Sequence, residues 1–118
     1  MPSEAGSFAF GDIVLVPFPF TNQTATKQRP AVVISGRAYN QARPDLLMMA
    51  VTSQLRPTAM FGEVWLTDWR AAGLLKPSAV KPVIATLEQG LVIRRLGNLS
   101  QQDQTALRQA LQEIIAGS

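Results

Sequence analysis

Two runs of four apolar residues, 13–16 and 31–34, separated by a polar loop that carries prolines, restrict the fold more than any other feature of this chain. Each run is too short for a helix and rich in branched side chains, so each reads as a strand buried on both faces. Gly11 and Asp12 precede the first run, and Ser35 and Gly36 close the second. Pro17 and Pro19 cannot donate a ladder hydrogen bond, so the sheet is expected to stop or turn there. Thr21, Asn22, Gln23, Thr24, Ala25 and Thr26 offer too little apolar surface to be buried, which predicts an exposed, mobile loop. Pro30 disfavours helical backbone at the residue before it and so places Arg29 in extended conformation at the mouth of the second strand. An arginine held there beside Lys27 can grip a phosphate. It can equally be an ordinary solvated cation at a strand edge.

The rest of the chain repeats the pattern. Residues 37–44 are polar and predict a turn or a single helical turn. Residues 46–51 form a third apolar run that stops abruptly at Thr52, Ser53 and Gln54, which either merely end the strand or form a functional polar tip. Residues 63–67 alternate as a half-exposed strand does, and 68–74 read as one helical turn stopped by Gly73. Pro82 demotes the strand at 80–87 to an edge or bulged position. Residues 91–96 predict a last strand, ended by Gly97 and Asn98. In its Arg94–Arg95 pair one side chain must point outward, which favours a solvated face over a second phosphate contact. Trp65 and Trp69 read as core or interface anchors rather than base-stacking platforms.

One clear helix follows. Ser100 and Asp103 have capping-box spacing, Leu107, Ala110, Leu111, Ile114 and Ile115 recur at helical intervals, and Gly117 marks the stop. About six short strands and one helix in a chain this small predict a mainly β protein, a compact antiparallel β-barrel closed by a C-terminal α-helix. Residues 1–7 are expected to be a loose tail and 8–118 a single domain.

Composition removes whole classes of function. The 118 residues contain no cysteine, which excludes disulfides and thiolate nucleophiles, and no histidine, which removes the usual general base and the commonest metal ligand. The carboxylates are scattered without ligand spacing, so neither metal nor cofactor is expected. No apolar stretch approaches the ~20 residues needed to span a bilayer and no leader precedes the domain, so a soluble cytoplasmic protein without a membrane partner is expected. Eleven Lys and Arg against eight Asp and Glu give a net charge of +3, and eight of the eleven cations are arginine, the residue suited to gripping phosphate.

Arg29 opens one buried strand and Thr52 closes the next. If the two strands pair antiparallel, as neighbours joined by a short connection usually do, a guanidinium and a hydroxyl share one end of the sheet with the 17–28 loop. The segments G-D-I-V-x-V-x-F-P, K-x-R-P-A-V-V-I-S, a strand ending T-S-Q, L-x-x-x-S-x-V-K and L-G-x-L-S before a C-terminal helix resemble the MazF/PemK family of toxin endoribonucleases over roughly residues 10–115. The resemblance implies a Src-homology-3-like barrel acting as a homodimer, metal-independent cleavage of single-stranded RNA at short preferred sequences, and neutralisation by a cognate antitoxin. Such an inhibitor is expected to be small, acidic and partly disordered. The family's catalytic arginine falls on Arg29 and its catalytic threonine on Thr52. Thr21, Asn22, Gln23, Lys27, Ser53 and Gln54 are the expected substrate-binding residues. Many family members carry a glycine-rich, acidic first loop where this chain has TNQTAT, a difference that bears on the cleavage sequence.

Attack by an RNA 2′-hydroxyl builds charge on the phosphoryl oxygens, which a bidentate guanidinium stabilises most in the transition state. That role suits Arg29. An unactivated threonine hydroxyl is no base, so Thr52 is assigned to orienting the phosphate, and the residues present assign no general base. Two other readings stand beside this one. A gyrase poison resembling the CcdB family would need a C-terminal Trp-Gly-Ile tip, and this chain ends EIIAGS. An inactive homologue would bind RNA or a partner without cutting.

Overall fold

The computed structural model describes residues 7–19 and 27–117. Six strands, β1 (Asp12–Phe18), β2 (Lys27–Val33), β3 (Asp45–Thr52), β4 (Val64–Trp65), β5 (Ala79–Glu88) and β6 (Arg94–Asn98), form one antiparallel sheet in the order β4-β5-β3-β2-β1-β6. It curls into a half-barrel. One helical turn and a half, α1 (Arg37–Ala42), joins β2 to β3, and a longer helix, α2 (Gln101–Ile115), follows β6.

The central strands bury both faces, as continuous apolar runs must. Ile13, Val32, Met49, Val51 and Val80 face a core completed by Leu107 of α2 and by Leu66, Ala72 and Leu74. The alternate residues Val14, Val16, Ala31, Val33, Leu46 and Met48 face a second core covered by Phe8. Period-2 alternation alone divides the two sets.

β1 and β2 are longer than their apolar runs. Pro17 does not stop the sheet: it pairs with Gln28, and Phe18 with Lys27. The Leu15 carbonyl accepts from Ile93 N, so residues 15 and 17 turn their backbone groups towards β6, whose register on β1 ends at Leu15–Arg94. The nitrogen of Pro17 therefore faces a side where no partner strand remains, and the missing donor costs nothing. β2 correspondingly begins at Lys27, which puts Arg29 inside the strand rather than at its mouth.

Elsewhere the elements shift or shrink. Pro82 lies where the β3–β5 register breaks, between the pairs Met49–Ile84 and Val51–Val80, the bulge expected of it. β4 is two residues long, shorter than residues 63–67 predict, and leaves Trp65 exposed while the half-buried Trp69 packs against the first core under the Arg70 guanidinium. Residues 68–74 make a single turn closed by Gly73 N to Arg70 O and Leu74 N to Trp69 O, with Gly73 at φ +87°. That pattern is a Schellman ending.

The last strand is Arg94–Asn98, so Gly97 and Asn98 belong to it rather than ending it. Gly97 is required there by close backbone approach: a Cβ on Gly97 would lie 2.5 Å from Ala72 O, and one on Gly73 would overlap Leu96 O. This contact joins the loop after β4 to the opposite edge strand. At the start of α2, Ser100 Oγ accepts from Asp103 N at 3.3 Å, but the Asp103 carboxylate does not return to the cap. Its two oxygens instead accept from Thr67 N and Asp68 N, both at 2.9 Å, tying the helix to that loop.

A second polar lock holds α1. The Asn40 amide donates to Phe8 O and Ser35 O, Ser35 Oγ donates to Asn40 Oδ1, and the Gln89 amide donates to Asn40 O. All three side chains are buried and satisfied, which fixes this end of the barrel in one arrangement.

Candidate active-site cleft

A cleft of about 710 Å³ opens beside Arg29 of β2 and the end of β3. Leu15, Pro30 and Val51 line it from neighbouring strands, and Leu74 and Leu96 contribute apolar wall. Arg29, Thr52, Ser53 and Gln54 all border it. The pairs Ala31–Ala50, Val32–Met49 and Val33–Met48 fix the β2–β3 register. The ladder stops at Ala31–Ala50, and Arg29 and Thr52 lie two residues beyond it on their strands.

Arg29 is exposed, and its guanidinium carbon stands 5.9 Å from the centre of the Phe18 ring, a diagonal neighbour on β1. The aromatic face limits the arginine's freedom without neutralising its charge. No described carboxylate forms a salt bridge with it: the two ion pairs among the described residues are Arg43–Asp45 and Arg95–Asp12.

Thr52 is half-buried at the last position of β3. Gln54 N donates to its Oγ1 at 3.1 Å. One lone pair of the hydroxyl is thereby committed, which favours turning its proton outward as a donor.

Three further cations border the cleft, Lys76, Lys81 and Arg94. No described aspartate or glutamate does. Sequence reasoning misses all three because they come from a loop, a bulged strand and an edge strand that only the fold brings together. The one signal it offers is the Arg94–Arg95 pair. Alternation sends Arg95 to Phe8, 4.8 Å from the ring centre, and to Asp12 at 3.4 Å, while Arg94 borders the cleft.

Lys27 is exposed at the head of β2 and does not border the cleft, and Thr21, Asn22 and Gln23 lie outside the described residues. Among the described residues no group of three or more His, Cys, Asp or Glu is arranged to hold a metal ion, and no helix is long and apolar enough to cross a membrane.

The PemK-like, MazF-like toxins of type II toxin–antitoxin systems match residues 9–115 as a family. The chain belongs to that family. This PemK/MazF-like toxin has solved structural relatives with the same fold. A mycobacterial endoribonuclease in complex with its cognate antitoxin superposes with a TM-score of 0.76 at 15% identity, covering 94% of this chain and 97% of that one. MazF from a Deinococcus radiodurans MazE–MazF crystal gives 0.71 at 20%, covering 94% and 97%. The Mycobacterium tuberculosis toxin MazF-mt6 gives 0.70 at 19%, covering 86% and 93%. At these identities the likeness establishes the six-stranded half-barrel with its C-terminal helix. No curated protein matches the sequence.

Proposed function

We propose that this PemK/MazF-like toxin is an endoribonuclease that cuts single-stranded RNA at preferred sequences, without a metal ion, by attack of the substrate's own 2′-hydroxyl. The observation that carries the reading is one cleft bordered by Arg29, Thr52, Lys76, Lys81 and Arg94 and by no carboxylate among the described residues. Such a concentration of one sign draws a polyanion and grips its phosphates.

In this mechanism the 2′-oxygen forms a bond to the adjacent phosphorus and the bond from phosphorus to the 5′-oxygen breaks. The 2′-hydroxyl proton goes to solvent and the leaving oxygen takes one up. Negative charge builds on the two non-bridging oxygens, and Arg29 meets them with a planar pair of N–H donors that an ammonium cannot reproduce. Thr52, its oxygen already engaged by Gln54 N, donates to one phosphoryl oxygen and sets the phosphorus in line. The chain has no histidine and the described cleft no carboxylate, so catalysis rests on electrostatic stabilisation and positioning rather than on an acid–base pair. Ser53 and Gln54 contact the nucleotides beside the scissile bond, and Lys27 with Thr21, Asn22 and Gln23 contacts the strand further out.

The partners follow from the same surface. A small acidic antitoxin with a disordered segment fits a cationic cleft and competes with RNA, and solved relatives include endoribonuclease–antitoxin and MazE–MazF complexes. A homodimer is supported by Trp65, Phe61 and Met60, large apolar side chains that stand 41, 76 and 54% exposed. The site of action is the cytoplasm, where messenger RNA is accessible.

The test is incubation of the pure protein with a mixed single-stranded RNA, followed by analysis of the product ends. Ends bearing 5′-hydroxyl and 2′,3′-cyclic or 3′-phosphate are expected. Intact RNA, or 5′-phosphate ends showing that water attacked, contradicts the proposal.

A further inference from the structure

Two adjacent arginines on one edge strand have opposite surroundings. Arg95 is neutralised by the buried Asp12 and covers the Phe8 ring. Arg94, paired across the ladder with Leu15, is exposed, borders the cleft and has no carboxylate partner among the described residues. Alternation alone accounts for the division; what marks Arg94 is that the side it takes borders the cleft.

Of the three cations that accompany Arg29, Arg94 is the one arginine, whose planar fork suits a phosphate. Ile93 N donates to Leu15 O immediately before it, and the tight approach of Gly97 to Ala72 holds the strand just after it. Lys76 sits in a loop beside Leu75, which is 92% exposed, and Lys81 sits where the β5 register breaks. A flexible lysine loses more freedom for each hydrogen bond to a phosphate than a planar guanidinium does.

β2 and β6 flank β1, where Arg29 pairs with Val16 and Arg94 with Leu15, so the two backbones are about 10 Å apart and alternation sends the two side chains to opposite faces of the sheet, although both border the cleft. One phosphate cannot serve both from mid-cleft without drawing both side chains to their limit, and two phosphates of one RNA strand can. Resting on the ribonuclease reading above, we infer that Arg94 is a positioning residue that holds a second phosphate of the same RNA strand, separate from the one at Arg29. It governs grip and register on the RNA and takes no part in the bond-breaking step.

The experiment measures binding of a single-stranded oligonucleotide of a cleaved sequence, with 2′-O-methyl groups in place of the nucleophiles, across a series of salt concentrations. Each phosphate contact to a single strand contributes about 0.7 to the slope of log affinity against log salt. Arg94→Gln is expected to flatten the slope by roughly that amount and to weaken binding several-fold at low salt. Arg94→Lys keeps the slope. Arg95→Gln, which removes an already neutralised charge, leaves the slope at its wild-type value. With cleavable RNA, Arg94→Gln raises KM and leaves kcat unaltered, and its thermal melting overlays wild type. An unchanged slope in Arg94→Gln, or a fall in kcat with constant KM, overturns the inference while wild-type cleavage leaves the ribonuclease reading standing. Wild-type protein that neither binds nor cuts RNA overturns both.

Discussion

Arg29 on β2 and Thr52 on β3 border one cleft from strands whose adjoining stretches, 31–33 and 46–51, are wholly apolar. The Thr52 hydroxyl accepts from Gln54 N, which leaves its O–H free to donate. Thr52→Val keeps the shape and deletes the donor. Single-turnover cleavage of RNA by that variant is expected to fall about 10- to 100-fold, the scale of one hydrogen bond to a charged group. A rate equal to wild type would leave Thr52 as no more than the end of a strand.

Chelation separates electrostatic from metal-assisted chemistry. Cleavage in excess EDTA is expected to proceed at the untreated rate, because the proposed mechanism gives the guanidinium of Arg29 the role a divalent cation plays in many nucleases. Activity lost on chelation and restored by Mg²⁺ or Mn²⁺ would contradict this.

The Asp103 carboxylate links α2 to the backbone at Thr67 and Asp68. Asp103 is 1% exposed. Asp103→Ala leaves two amide donors without their carboxylate in a partly buried corner, and denaturant unfolding should show a loss of about 2 kcal/mol. A loss under about 0.5 kcal/mol, the scale of an ordinary surface substitution, would mean that water replaces the carboxylate there.

Gly73 combines φ +87° with backbone contact to Leu96. Gly73→Ala must strain the turn and push β6 outward together, so destabilisation well above the ~1 kcal/mol of a positive-φ glycine replacement is expected. Gly90, where an added Cβ would meet nothing within 4 Å and φ is not positive, is the control whose replacement by alanine should leave the melting temperature unchanged within a few degrees.

Most of the sheet is legible in the sequence because its central strands are bare apolar runs that no helix of that length could use. Residues 12–18 and 27–33 exceed those runs for a reason that lies elsewhere in the chain. Whether Pro17 ends a strand depends on where β6 stops, and that is a tertiary fact. The shift of the last strand to Arg94–Asn98 has the same origin, since Gly97 looks like a terminator until Ala72 is seen against it. The Ser100–Asp103 spacing correctly marks a helix start, yet the carboxylate serves a loop 35 residues earlier.

The site divides similarly. Arg29 and Thr52 can be paired from sequence because β2 and β3 are consecutive and antiparallel, so the end of one meets the beginning of the other. Lys76, Lys81 and Arg94 reach the same cleft through the curl of the sheet, which periodicity does not encode. Arg94 and Arg95 are recognisable in sequence as a pair with opposite directions; which direction leads to a cleft is not.

The decisive measurement is the RNA cleavage rate of Arg29→Lys beside its thermal melting. This substitution keeps a cation and removes the planar fork, so the rate should fall by roughly 10² or more, comparable to deleting an oxyanion donor, while an exposed position leaves the melting curve on that of wild type. Cleavage near the wild-type rate would show Arg29 to be a solvated strand cation and would end the catalytic assignment.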